Sequence, residues 1–180
     1  LKGELEAIFA GLRLKKAAYT AVKDNPSYHP GRCARVSIDG VDVGVLGQVH
    51  PLVAANYGID ADVYCAEINF TKLFDMQLPD ATYTPLPKYP TVSRDLSLIC
   101  SEDVTVAQAE AVITAAAGKL LRDVKLFDIY RGPGVPEGKK SMAFSLELRA
   151  DDRTLTDTDS EAAVTRVLAA LKEKLDAALR

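Results

Sequence analysis

Four of the chain's nine prolines, Pro79, Pro85, Pro87 and Pro90, fall within twelve residues. Each fixes its own φ and lacks the backbone donor that a helix or an inner strand needs, so the segment can only be extended. The sequence therefore reads as a first unit over 1–78, a proline-rich connector over 79–90 and a second unit over 91–180. A length of 180 residues suffices for two small domains.

The second unit has the clearer pattern. Leu96, Leu98 and Cys100 alternate with Asp95, Ser97 and Ile99, as in a half-buried strand. Thr105 followed by Gln108 predicts a capping box, and Val106, Ala109, Val112, Ile113 and Ala116 continue as a helical face that Gly118 closes. A second strand is expected over 124–130 and a glycine-rich loop over 132–138. Met142, Phe144, Leu146 and Leu148 then alternate with small or polar residues in a third strand. A second capping box is expected at Thr158 and Glu161, opening a helix whose buried stripe is Val164, Val167, Leu168, Leu171 and Leu175. The tail over 177–180 reads as a short edge strand. This β-α-β-β-α-β order is the split βαβ plan, with helices on one sheet face and the other face open.

The first unit opens on Leu1, Leu5, Ile8, Phe9 and Leu12, one helical stripe. A short β segment is expected at 19–22, then a strand through Ala34, Val36 and Ile38. Asp39-Gly40 offers the two positive-φ positions of a tight hairpin, and 41–49 returns as its partner. Pro51 suits the first turn of a short helix with His50 as its cap, Gly58 suits its end, and 63–70 reads as a further strand. The expected class is α+β: a partial antiparallel sheet followed by a ferredoxin-like domain. The chain starts at Leu1, already inside a helical pattern, and reads as part of something longer.

Composition excludes more than it assigns. Net charge is −3, and neither half is basic: residues 1–85 carry 8 basic and 10 acidic side chains, residues 86–180 carry 14 and 15. Any nucleic-acid contact must come from local arrangement of charge. No apolar run suggests a membrane span. Cys33, Cys65 and Cys100 are too widely spaced for a disulfide framework or a zinc site, which points to reduced thiols and the cytoplasm. His29 and His50 each precede a proline, with no carboxylate or cysteine at ligand spacing, so no metal is expected.

Four blocks of the second unit resemble a known family. They are Lys88-Tyr89-Pro90-Thr91-Val92-Ser93-Arg94-Asp95-Leu96-Ser97, Leu126-Phe127-Asp128-Ile129-Tyr130-Arg131-Gly132, Pro136-Glu137-Gly138-Lys139-Lys140-Ser141 and Arg153-Thr154-Leu155-Thr156-Asp157. Together they resemble the ferredoxin-fold anticodon-binding domain at the end of the bacterial phenylalanyl-tRNA synthetase β subunit. Leu1-Lys2-Gly3, Tyr28-His29-Pro30-Gly31-Arg32 and 44–51 resemble the end of the same subunit's catalytic-like module. That module is similar to a class II synthetase core but does no chemistry. Here Ala66-Glu67-Ile68-Asn69-Phe70-Thr71-Lys72-Leu73 has neither a glycine for close phosphate approach nor an arginine for a γ-phosphate. The resemblance implies no catalytic residue and no cofactor in this chain, with ATP and Mg2+ held by an α subunit. It further implies an assembly of two α and two β subunits, tRNA(Phe) as the RNA partner, and no DNA or membrane partner.

Within that reading, the candidate RNA-binding residues are Arg94, Ser97, Tyr130, Arg131, Lys139, Lys140, Ser141 and Arg149, with Asp128 and Glu147 opposing them. Guanidinium and ammonium groups suit phosphates, hydroxyls suit 2′-OH groups and an aromatic plane suits stacking. On residues alone, a solvated sheet face explains the same pattern; the resemblance favours the RNA-facing one. Tyr130 has two readings: a stacking plane, or a ring packed sideways on the Gly132–Gly138 loop. Fold alone also allows an amino-acid sensor of the ACT type, or an assembly domain.

Overall fold

The computed structural model describes residues 1–76, 80, 82–83 and 85–180. The expected start of the connector, Pro79, lies outside them. The chain divides into two compact units, Leu1–Tyr83 and Thr84–Arg180. Residues 85–91, with Pro85, Pro87 and Pro90, form neither helix nor strand.

In the first unit, helix α1 (Lys2–Gly11) precedes strands β1 (Ala18–Ala21), β2 (Tyr28–Ile38) and β3 (Val41–Val49). Helix α2 (Pro51–Asn56), strand β4 (Tyr64–Ile68) and helix α3 (Phe70–Asp75) follow, and the strands form one antiparallel sheet in the order β1-β2-β3-β4. Asp39 and Gly40 turn the β2–β3 hairpin with φ of 52° and 79°. One sheet face buries Val36, Ile38 and Val43 against Leu5, Phe9 and Leu73 from α1 and α3. Only part of the expected α1 stripe is used: Ile8 stays 55% exposed. The expected strand over 63–70 stops at Ile68, because the Asn69 side chain accepts from the Lys72 amide and starts α3 instead.

The second unit holds strands β5 (Val92–Ser101), β6 (Leu121–Tyr130), β7 (Lys139–Leu148) and β8 (Ala178–Leu179) in the order β6-β7-β5-β8. Helices α4 (Val106–Ala117) and α5 (Asp157–Leu175) complete it. All its strand pairs are antiparallel, giving the ferredoxin-like arrangement. Leu96, Leu98, Cys100, Met142, Phe144 and Leu146 face Ala109, Ile113, Ala117, Val167 and Leu171 from the helices. Fully burying such an aliphatic or aromatic side chain contributes about 1.5–3 kcal/mol, which makes this layer the main source of stability.

Thr105 and Gln108 form the expected capping box on α4, and Gly118 ends the helix at φ 63°. The box on α5 is not at Thr158 and Glu161 but one turn fraction earlier, at Thr156 and Asp159. The Thr156 hydroxyl accepts from the Asp159 amide, and the Asp159 carboxylate accepts from the Thr156 amide. These hydrogen bonds, with Arg153 beside them, hold the Asp159 carboxyl below its ordinary range. Both threonines match the pattern; Thr156 wins because Asp157 then joins Asp159 in the first turn, where carboxylates complement the helix dipole.

Candidate nucleic-acid interface

Strand register assigns every side chain of the second sheet to a face. Leu96 pairs with Phe144, Leu98 with Met142 and Arg94 with Leu146, and these lie on the helix side. Ser93 pairs with Glu147, Asp95 with Ser145, Ser97 with Ala143 and Ile99 with Ser141 on the other side. Helices α4 and α5 both pack on the first face, which leaves the second without a covering layer within the unit. Its two inner strands present mainly small residues, so the floor is shallow. Ser93 pairs with Ser145, and Ser97 with Ser141, through hydroxyls 3.2 Å apart.

The edge strand β6 is where simple alternation fails. Val124 and Leu126 face the core, so strict alternation would send Asp128 and Tyr130 inward as well. A bulge at Phe127 intervenes: Leu126 pairs with Phe144, but Asp128 pairs with Ala143 and Tyr130 with Ser141. One extra residue thus turns Asp128 and Tyr130 to the open face and leaves Phe127 55% exposed beside them.

The Tyr130 ring lies against the loop that follows it. Its hydroxyl donates to the Pro133 carbonyl at 3.4 Å, and a Cβ at residue 132 would come within 2.7 Å of that hydroxyl, so a side chain there would push the ring aside. The guanidinium of Arg180 sits 5.1 Å from the ring centroid. The ring thus packs on the loop, as one of its two readings expects, and it also faces the open side, at 36% exposure.

The other expected site residues separate into two groups. Ser97, Lys139 and Arg149 follow the open-face alternation, and Lys125, which sequence reasoning missed, joins them opposite Ser145. Lys125, Lys139 and Arg149 make no side-chain hydrogen bond or ion pair among the described residues. Ser141 is on the same face but only 3% exposed, as part of the floor. Asp95, Asp123, Asp128 and Glu147 also point to this side, so it is not a general trap for polyanions.

Arg94 and Lys140 do not belong to that face. Arg94 lies on the helix side, where its guanidinium donates to Asp157 at 2.9 Å and to the Ser160 hydroxyl at 3.0 Å. Lys140 pairs with Cys100, is 7% exposed, and donates to the Glu102 carbonyl oxygen at 2.7 Å. The Lys140 ammonium is thus turned away from the open face and engaged by Glu102. Arg131 is exposed but forms a two-pronged contact with the Glu102 carboxylate at 2.6 and 3.0 Å. That contact holds the Glu102 carboxyl below its ordinary range and raises Arg131. Lys140, Glu102 and Arg131 together clamp the base of the Gly132–Gly138 loop.

In the first unit, the two histidines make local contacts. His29 Nδ1 accepts from the Gly31 amide and His50 Nδ1 from the Leu52 amide, capping α2 as expected. Among the described residues no group of three or more His, Cys, Asp or Glu side chains could hold a metal ion, and no helix is long and apolar enough to cross a membrane. Cys33 and Cys100 are buried free thiols, Cys65 a half-buried one. Burial pushes the Cys33 and Cys100 thiols up, which keeps them protonated.

Comparison with known proteins assigns both units. Residues 87–180 match the family model of the ferredoxin-fold anticodon binding domain, and residues 1–70 match that of the phenylalanyl tRNA synthetase beta chain CLM domain. The chain is 40% identical over 180 residues to the phenylalanine–tRNA ligase beta subunit of Clostridium tetani, covering all of this chain and 23% of that protein. It is 41% identical over 180 residues to the protein of that name in Moorella thermoacetica, covering 22% of it. For Symbiobacterium thermophilum the identity is 42% over 172 residues, 96% of this chain and 19% of the relative. The chain thus spans less than a quarter of the length of the curated relatives it matches.

Proposed function

The chain belongs to the family of the ferredoxin-fold anticodon binding domain, and from that premise we propose that its second unit holds the anticodon stem-loop of tRNA(Phe) against the bare face of its sheet. The observation that carries this reading is the asymmetry of that sheet. Both helices cover one side, while the other offers hydroxyls on a shallow floor, two aromatic rings at its edge and unpaired basic side chains around it. Single-stranded RNA loops are bound by this mixture: bases splay onto aromatic planes, hydroxyls meet 2′-OH groups and cations meet phosphates. The proposed contact set is Ser93, Ser97, Ser145, Lys125, Lys139, Arg149 and Tyr130, with Phe127 as a second aromatic plane. Ser141, Arg131 and Lys140 support it from below and from the side, and Arg94 braces the helix layer.

The role is positional. In the two-subunit ligase the chemistry belongs to an α subunit with its ATP and Mg2+, and no bond is made or broken by residues of this chain. Binding energy drawn from the anticodon arm orients the reactive end of the tRNA at a distant site, converting an encounter into a held complex. In a full-length two-subunit enzyme lacking residues 86–180, activation of phenylalanine with ATP survives and transfer to tRNA falls sharply. Loss of activation and transfer together would make the domain an assembly element instead.

A further inference from the structure

The open face is not wholly empty: a strap crosses it. Tyr130 stands on the edge strand β6, and Arg180 follows β8 at the opposite edge of the sheet. The Arg180 amide donates to the Ser97 carbonyl at 2.9 Å, which anchors the residue, and its guanidinium reaches back to within 5.1 Å of the Tyr130 centroid. Ring and guanidinium therefore meet on the open side, beside the loop over 132–138. Gly134 lines the same spot: a Cβ there would lie 3.7 Å from an Arg180 guanidinium nitrogen.

A guanidinium is planar and cationic, and it lies on an aromatic ring much as a base does. At an exposed site the cation–π contact is weaker than a base–aromatic stack, so a base can replace it. The displaced group keeps its charge and its backbone anchor, and it then stands beside the strand that displaced it. We propose that Arg180 is a nucleotide-binding residue that occupies the Tyr130 ring in the free chain. A bound base takes its place on the ring, and the released guanidinium pairs with a phosphate of the same RNA strand. This rests on the reading of the open face as an RNA-binding surface.

Replacing Arg180 then has two opposed effects. The Tyr130 ring is vacated, which favours the base, and one phosphate contact is lost, which matters most at low salt. The test titrates the 180-residue chain with a synthetic tRNA(Phe) anticodon stem-loop over a series of salt concentrations. For Arg180→Ala the slope of log K against log salt is expected to flatten by about 0.7–0.9, the loss of one phosphate contact. The Arg180→Ala and wild-type lines should cross, the variant binding more weakly at low salt and at least as tightly at high salt. Arg180→Lys, which keeps the charge but not the plane, should retain the wild-type slope; an amide spectrum of each variant establishes that it is folded. In the free wild-type chain the Arg180 Hε resonance should sit upfield under the ring current and move downfield when RNA is added. Parallel lines for wild type and Arg180→Ala, or an unmoved Hε resonance on RNA binding, would overturn the role of Arg180 alone. Absence of any wild-type binding would overturn the RNA reading and this proposal with it.

Discussion

The two units spend their apolar residues differently. In the second, β5 and β7 place a row of Leu, Met, Phe and Cys against two helices, and apart from Leu86, ahead of β5, its large exposed apolar side chains among the described residues lie at the sheet edges, at Phe127, Ile129, Tyr130 and Leu179. In the first, the buried cluster is smaller, while Leu52, Tyr57, Phe70 and Phe74 on or beside its two short helices are each at least 70% exposed. Large apolar groups left in water add nothing to folding, so the second unit should be the more stable, and the first should gain most from any surface that covers those side chains.

The largest effect expected from a single substitution lies in the second unit. Phe144 has no solvent exposure at the centre of the layer, and Phe144→Ala should cost about 3–5 kcal/mol in urea unfolding followed by second-unit amides. A loss comparable to a surface change would erase the contrast between the units. Next comes close packing in the first unit. Gly47 sits between β2 and β4, and a Cβ there would press on Cys33 and on the Tyr28 ring, whose hydroxyl accepts from the Cys65 thiol at 3.4 Å. Gly47→Ala should cost about 1–3 kcal/mol by the same measurement, as overpacking does.

Smaller effects sharpen the picture. The Glu102 carboxyl is held below its ordinary range by Arg131. Its contribution is present above the unfolded carboxylate value of roughly 4.3 and is lost as pH falls through the lower folded value. Glu102→Gln should therefore weaken the acid limb of the second unit's stability profile, with no change near pH 7–9 in its shape. The least effect is expected at Tyr19, whose buried hydroxyl lies near the Glu6 carboxylate without a well-formed hydrogen bond among the described residues. Tyr19→Phe removes a poorly satisfied buried hydroxyl, so the melting midpoint should hold or rise, within about 0.5 kcal/mol. A clear loss would show that Glu6 holds that hydroxyl firmly.

Legibility in the sequence follows the same division. The second unit closes around its own core, so strand alternation and capping pairs identified its order, its covered face and even the edge strand at its end. Failures came where one side chain decided between equal patterns, as with Thr156 over Thr158, or where a helix was too short to show a period, as with α3. Among the candidate site residues, the open-face positions of Ser97, Lys139 and Arg149 were legible from alternation. Lys140 was misplaced because adjacent lysines look alike until the register gives one to each face. Tyr130 faces outward only because of the Phe127 bulge, a backbone event that no residue type announces. Arg180 was missed because its contact spans the sheet, and local spacing carries no trace of it.

The central claim is that RNA meets the sheet face and not the helix layer. Chemical-shift mapping of the labelled chain with a tRNA(Phe) anticodon stem-loop tests it directly, since Ala143 lies on the open face while Ala111 and Ala115 are exposed on α4. The account predicts that Ala143, Ser97 and Ser145 shift on RNA addition while Ala111 and Ala115 stay in place. Shifts confined to the two helix alanines, with Ala143 unmoved, would contradict it.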